Sequence, residues 1–415
     1  MGGSRLPLRL RTGGFRAGRH RAGRRLRRDF DLPEPITSRR KLAAVVADAA
    51  TADAYALDTE FHRERTYYPR VALVQIAWRD QLAIIDPLEV PIAALAELLE
   101  GDGLAVLHAA EQDLEVLQQE CGTQPRRIFD TQIGAGFIGY RTPSLAALHE
   151  RLLGANLPKE ARLSDWFQRP LPEPMLAYAA ADVERLLEIS DILHQDLRAR
   201  GRLEWAEEEC ALMLERADAG RASDKAWLRI KEVRRMEGRP RALAQAVAKW
   251  REEYAARTNQ PVRHVLSDLG VAVVAQRLPR TLSQLRDIRG VEPRNLRKGA
   301  DKELLDFLDQ IRGADLEIEP RKKVPKLDQS LKPAVNLITS WAAQHAAEAD
   351  LDPTLVATRS DIEALLRGDP DCRALRGWRA EIVAAPVQQL LDGTAAIAFD
   401  GLGKLVLEER SKRPI

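Results

Sequence analysis

The chain has 415 residues, 45% of them hydrophobic, 30% charged and 5% aromatic, the profile of a globular protein of two or three domains and not of a disordered, collagenous or fibrous one. No apolar run approaches the roughly 18 residues needed to cross a bilayer, and stretches such as Gly270 to Ala275 are core-sized, so no membrane partner is expected. The formal net charge of +2 hides a segregation, with +10 over residues 1–28, −11 over 29–200, +11 over 221–300 and +1 over 321–415, and an acidic module fused to a basic one suits a polyanion binder with a cation-dependent site.

Residues 1–28 hold ten Arg and no acid, without an apolar segment or helical periodicity, so they read as a basic disordered arm and not as a secretory signal. A single Ser in that stretch argues against an organellar transit peptide. From Thr37 a helical segment over 41–46 precedes three strand-like runs, Ala54 to Asp58, Val71 to Ala77 and Gln81 to Asp86, with gaps short enough for antiparallel pairing. Helices then alternate with short strands: Ile92 to Glu100 is amphipathic, Leu104 to His108 apolar, Gln112 to Glu120 helical, and Arg127 to Phe129 strand-like before Asp130 opens another helix. This order predicts an α/β domain, a mixed sheet flanked by helices, over residues 29–205.

Beyond about residue 200 the strand signals stop and the rest is expected to be all-α. Trp250, Pro261 and Asp268 are echoed by Trp341, Pro353 and Asp361, which suggests two small helical bundles, over 215–315 and 327–408. Glu319 to Pro325 reads as the linker between them. Cys121, Cys210 and Cys372 lie far apart with no C-x-x-C pair, which excludes a disulfide framework and a thiolate zinc site and fits a reducing, cytoplasmic setting.

Three short motifs carry chemistry. In Asp58-Thr59-Glu60 the two carboxylates are two apart on a strand and project together, and such a pair repels unless a cation or proton lies between them. A solvated strand end explains a bare D-x-E as well. Asp113, just after the apolar strand, reads either as a site acid or as a charge favourable to a helix N-terminus. Tyr178 and Asp182, four apart, share one face of a helix entered through Pro172 and Pro174, with three alanines between them that let it pack close to a sheet. Taken singly, a buried Tyr and an exposed Asp would account for them.

Together these residues stand in the order and on the elements of a known architecture. The segments Ala56-Leu57-Asp58-Thr59-Glu60-Phe61, His108-Ala109-Ala110-Glu111-Gln112-Asp113-Leu114 and Tyr178-Ala179-Ala180-Ala181-Asp182-Val183 resemble the ribonuclease D branch of the DEDD exonuclease superfamily. Leu73 to Ile76, Phe129 to Gln132 and Ser164 to Leu171 add to the likeness, which spans residues 37–200. Tyr178 places it in the tyrosine variant; the histidine variant would need His where Ala177 stands. The resemblance implies a ribonuclease-H-like fold in which Asp58, Glu60, Asp113 and Asp182 hold two divalent cations. It implies that Asp58 bridges both, that Glu60 and Asp182 complete the first and Asp113 serves the second, directly or through water, and that Tyr178 orients the attacking water. Oxygen-only carboxylate ligands independently select Mg²⁺ or Mn²⁺ over Zn²⁺.

Other acids and bases are set aside: Asp86 as a turn residue before Pro87, Asp130 as a helix cap, His108 as structural, Glu111 and Glu115 as solvated helix faces, and Lys159, Arg162 and Arg169 as surface. Phe61 reads equally as core or as a neighbour of the terminal nucleotide. Trp227 to Leu304 resembles the helicase-and-RNase-D C-terminal (HRDC) domain, and the +11 charge over 221–300 suits salt-dependent, sequence-tolerant nucleic-acid binding. The second, nearly neutral HRDC-like bundle departs from that pattern. The expected function is metal-dependent 3′→5′ exoribonuclease action on structured RNA such as transfer RNA precursors, releasing nucleoside 5′-monophosphates. DNA as substrate, and a non-catalytic RNA-binding adaptor, are the alternatives; the adaptor usually lacks a site carboxylate, and here all four are present.

Overall fold

A computed structural model describes residues 32–157, 164–218, 222–292, 296, 299–317 and 327–410. The arm 1–28, Lys159, Arg162 and the linker from Glu319 to Pro325 lie outside the described residues.

Five strands form one mixed sheet: β1 (Ala54–His62), β2 (Arg70–Trp78), β3 (Gln81–Ile85), β4 (Leu104–Leu107) and β5 (Ile128–Asp130), in the order β3-β2-β1-β4-β5. The β1-β2-β3 meander is antiparallel, as its short gaps require, and β4 and β5 add in parallel through helical crossovers. β1 runs four residues beyond the predicted end at Asp58, because Thr59 to His62 keep pairing with β2 out to Arg70. The acids therefore lie within the strand and not at its tip. A bulge at Ala72 shifts the register between Glu60 and Phe61.

Helices Arg39–Ala49 and Glu111–Cys121 cover one face of the sheet, where Leu42, Val46, Leu114 and Leu117 meet Leu57, Val74 and Ile76. Helix Glu173–Glu184 covers the other: Met175, Ala179 and Ala180 pack on Ala72, Leu73 and Ile84, and Val183 packs on Ala56, Ala77 and Val106. The alanine run lets this helix lie close to the strands. Parallel pairing of Ala56 with Val106 and of Leu107 with Asp130 brings the carboxyl ends of β4 and β5 level with Asp58, the edge at which open α/β sheets place their ligands.

A middle bundle is organised about the long helix Gly238–Thr258, with helices Val262–Val265, Asp268–Arg277, Leu282–Arg286 and Ala300–Arg312 closing one core around Trp227, Trp250 and Leu304. Gly270 marks its tightest crossing, since a Cβ there would sit 2.7 Å from Gly290 O. The β1–β2 loop reaches into this core. Tyr67 is buried in it, its hydroxyl donating to Glu252 Oε1 (2.8 Å), and the amides of Tyr67 and Tyr68 both donate to Asn259 Oδ1 (3.1 Å each).

The C-terminal bundle repeats the sequence long helix, one-turn helix, helix in Lys332–Glu348, Pro353–Val356 and Arg359–Leu366. Its core is continuous with that of the sheet domain, Trp378 stacking on Trp205 at 5.1 Å and meeting Phe137 at 5.0 Å. Arg202 donates to Phe137 O, Asp350 O and Ala349 O, and Arg379 forms a buried pair with Glu209. The expectation that everything past residue 200 is helical fails here: β6 (Ala395–Phe399) and β7 (Leu405–Glu409) form an antiparallel hairpin. Asp400 drives its turn by accepting from the amides of Leu402 (2.8 Å) and Lys404 (3.0 Å), with Gly401 and Gly403 at φ 82° and 96°. Leu, Val and Ala serve helix and strand alike, so only the D-G-x-G turn announced it.

Candidate active site

Alternation along β1 puts Asp58 and Glu60 on the face covered by helix Glu173–Glu184, which carries Asp182. Carboxylate oxygens of these three residues all lie within 4.8 Å of one another. Asp113 stands outside that trio, in the first turn of helix Glu111–Cys121, and accepts from the Thr59 hydroxyl at 2.5 Å. Its charge nevertheless acts on Asp58 more strongly than that of Asp182 or Glu60. The structure thus brings all four predicted acids to one end of the sheet. Tyr178, one turn before Asp182, packs beside Trp166 at 6.1 Å between ring centres.

Two features hold Asp113 in place. Ala109 takes φ 58°, which turns the chain sharply from β4 into the helix. Asp130 accepts from the amides of Ala110 (2.8 Å), Gln132 (2.7 Å) and Ile133 (3.1 Å), so it caps its own helix as predicted and also ties down the start of the Asp113 helix. His108 is structural, its Nδ1 hydrogen-bonded to Thr131 Oγ1 at 2.9 Å. Phe61 packs against the core.

Burial and mutual repulsion drive every one of these carboxyls toward its neutral form. Asp58 rises well above the usual range, first through burial and then through Asp113, Asp182 and Glu60. Glu60 is pushed up to about 8 by burial, Asp182 and Asp113. Asp113 and Asp182 reach about 7, each mainly through burial. A cluster of hard oxygen donors that cannot all ionise unaided needs positive charge between its members, which fits divalent cations of the Mg²⁺ type. The surroundings fit as well: Gln75, paired across the strands with Asp58, is fully buried, and among the described residues neither of its amide atoms has a hydrogen-bond partner.

Several residues differ from their sequence reading. Asp86 does accept from Leu88 N in its turn (3.0 Å), but it also receives Arg169 through Nε (2.5 Å) and Nη2 (2.7 Å). Arg169 is therefore a paired anchor and not a surface cation. Glu115 pairs with Arg63, just past the end of β1, instead of facing solvent alone. The middle bundle spends part of its positive charge internally: Arg251 is buried against Leu266 O and Asp268, Arg241 lies over the Trp227 ring at 4.6 Å, and Arg257 pairs with Glu303. Lys225, Lys231, Arg235, Arg277, Arg280 and Arg289 remain exposed. Thr59, Gln75 and Arg169 were missed as supports; a Gln within the otherwise apolar run of β2 was the available signal.

The 3′-5′ exonuclease domain family matches residues 33–198, and the HRDC domain family matches 241–305. A ribonuclease D of Jannaschia sp. (strain CCS1) is 36% identical over 397 residues, covering 91% of this chain and all of its own length. One of Gluconacetobacter diazotrophicus is 33% identical, covering 90% and 96%. The crystal structure of Escherichia coli RNase D, an exoribonuclease involved in structured RNA processing, superposes with a TM-score of 0.77 at 31% identity, over 87% of this chain and 98% of that one.

Proposed function

Since the chain belongs to the ribonuclease D family and is a 3′→5′ exoribonuclease, we propose that Asp58, Glu60, Asp113 and Asp182 are the ligands of two Mg²⁺ or Mn²⁺ ions and that Tyr178 works beside them. The observation that carries this reading is the meeting of Asp58, Glu60 and Asp182 within 4.8 Å, with Asp113 near enough to repel Asp58.

When bound, a pair of such cations supplies Lewis-acid stabilisation of the attacking and leaving oxygens in displacement at phosphorus. The protein's share is to hold four oxygen donors in fixed places. Asp58 and Glu60 are set by strand pairing, Asp182 by a helix packed on the sheet, and Asp113 by the Thr59 hydrogen bond and the Asp130 cap. Tyr178 stands one helical turn before Asp182, and its role in this reading is to orient the attacking water. The half-buried setting of Asp58, Glu60 and Asp182 and the buried one of Asp113 limit how far bulk water screens these charges.

The substrates we assign are structured RNAs with a free 3′ end, transfer RNA precursors among them, and the products are nucleoside 5′-monophosphates. The domains are taken as 29–205 for the exonuclease, 215–315 for the nucleic-acid-binding HRDC domain and 327–408 for a divergent second copy. That copy is supported by the matching helix order: Trp250 and Trp341 lie in the long helices, Pro261 precedes one one-turn helix and Pro353 opens the other, and Asp268 and Asp361 both lie in the first turn of the third helix. Its buried union with the sheet domain and its near-neutral charge suit packing better than RNA capture. Among the described residues no helix is long and apolar enough to cross a membrane, and three free cysteines agree with a cytoplasmic enzyme.

A 5′-labelled oligoribonucleotide incubated with the full chain and Mg²⁺ is expected to shorten stepwise from its 3′ end, and EDTA to stop it. Asp58→Asn and Asp182→Asn are expected to abolish the ladder while gel-shift binding of RNA persists. A ladder indifferent to EDTA or to either substitution overturns the site assignment, and faster shortening of a matched DNA oligomer overturns the RNA preference.

A further inference from the structure

Beyond Glu60 the alternation of β1 brings His62 onto the same face as Asp58 and Glu60, about 7 Å further along at two residues' rise. That is of the order of one nucleotide in an extended strand. Directly across from His62, at the start of β2, stands Arg70. Both are exposed. Phe167 joins them from the loop before helix Glu173–Glu184, its ring 5.0 Å from that of His62 in an edge-on arrangement at 77°, with the Arg70 guanidinium 4.4 Å from its centre.

The loop that presents Phe167 is firmly held. Asp165 accepts from the Phe167 amide (3.0 Å), Trp166 is buried beside Tyr178, and Arg169 clamps the loop to Asp86, Trp166 O and the bulged Ala72 O. An exposed arginine–aromatic contact stabilises a fold by only about 0.5–1 kcal/mol. Stability alone does not account for two exposed polar side chains and a half-buried phenyl ring assembled at the mouth of the acid cluster on a buried ion-pair anchor. An aromatic surface beside a cation is what single-stranded nucleic acid uses: bases stack on the rings whatever their identity, and the guanidinium meets phosphate.

We propose that His62, Arg70 and Phe167 form a stacking subsite for a nucleotide of the single-stranded 3′ end next to the scissile phosphate, the base resting on the Phe167–His62 surface and the phosphate on Arg70. The proposal rests on the assignment of Asp58, Glu60, Asp113 and Asp182 as the active centre. The subsite makes the enzyme tolerant of base identity and demanding of an unpaired end, because a base held in a duplex cannot lie on the ring.

The test is steady-state kinetics of the full chain on a 5′-labelled single-stranded oligoribonucleotide with Mg²⁺. Phe167→Ala is expected to raise KM roughly tenfold or more, with kcat falling less than KM rises. Phe167→Trp is expected to restore KM. Phe167→Leu, which keeps the apolar volume in the loop, is expected to fold with an unchanged Tm and still show the KM defect. Arg70→Gln is expected to lower by about one the slope of log binding against log salt. An unchanged KM in Phe167→Ala, or wild-type kinetics in Phe167→Leu, overturns the subsite. If Asp58→Asn also retains cleavage, the active-centre assignment has failed; if Asp58→Asn is dead while the Phe167 variants behave as wild type, only the subsite has.

Discussion

Glu60→Gln isolates the cost of folding four carboxyls into one place without cations. In the folded chain Glu60 keeps its proton up to about pH 8, first through burial and then through Asp182 and Asp113, whereas its ordinary value is 4.5. Below pH 4.5 both states are protonated and stability is intact. Between 4.5 and about 8 the unfolded chain has released a proton that the fold retains, so stability falls as pH rises, by about 1.36 kcal/mol per unit. At pH 8 the loss reaches on the order of 4–5 kcal/mol for this residue. Gln has nearly the same shape and nothing to titrate. In EDTA at pH 8 the variant is expected to melt several degrees above wild type, a gap that narrows to about a degree at pH 5. In saturating Mg²⁺ the order should invert, because wild type gains binding free energy that Gln supports poorly. Thermal melts followed by circular dichroism in these four conditions decide the matter. A variant melting at or below wild type in EDTA at pH 8, or a gap that does not widen with pH, refutes the charge-cluster argument.

Tyr178→Phe removes the hydroxyl of the tyrosine one helical turn before Asp182 and should lower kcat about 10- to 100-fold while leaving the Mg²⁺-dependent rise in Tm at its wild-type size; an unchanged kcat strips Tyr178 of its role. Arg379→Met leaves Glu209 buried without its partner and should cost about 3–5 kcal/mol in urea unfolding, and pairing it with Glu209→Met should recover most of that loss. Ala109→Gly relieves a non-glycine residue at φ 58° and should stabilise the chain by up to about 1 kcal/mol, the relief of strain outweighing the extra freedom of an unfolded glycine. A destabilised Ala109→Gly would show that the turn into the Asp113 helix carries no strain.

Local order was legible where neighbours in sequence are neighbours in space. Ala54 to Asp58, Val71 to Ala77 and Gln81 to Asp86 are apolar runs with short gaps, and they fold as an antiparallel meander, β1 running on to His62. Spacing alone did not single out the candidate acids, since a strand end and a buried Tyr with an exposed Asp explain each motif taken singly; their shared order along the chain, read through the resemblance to the ribonuclease D branch, did. Distant partners were not legible. Nothing near Asp86 foretells that Arg169, 83 residues away, will bind it through two nitrogens, and formal charge cannot say which arginines of 221–300 are already neutralised inside the fold. Arg241 and Arg251 count toward a basic surface in the sequence and toward packing in the structure, and Arg257, though exposed, is already paired with Glu303. The β6–β7 hairpin was lost because Leu405, Val406 and Leu407 have no strand-specific neighbours, so their state is fixed by the turn before them.

The β1–β2 connection ties these parts into one device. Within eleven residues the chain carries Asp58 and Glu60, then His62, then Arg63 pairing to Glu115 on the Asp113 helix, and finally Tyr67 and Tyr68 bonded to Asn259 and Glu252 of the middle bundle. A rigid strand followed by a loop bonded at both ends fixes the distance from the exposed cations of that bundle to the acid cluster.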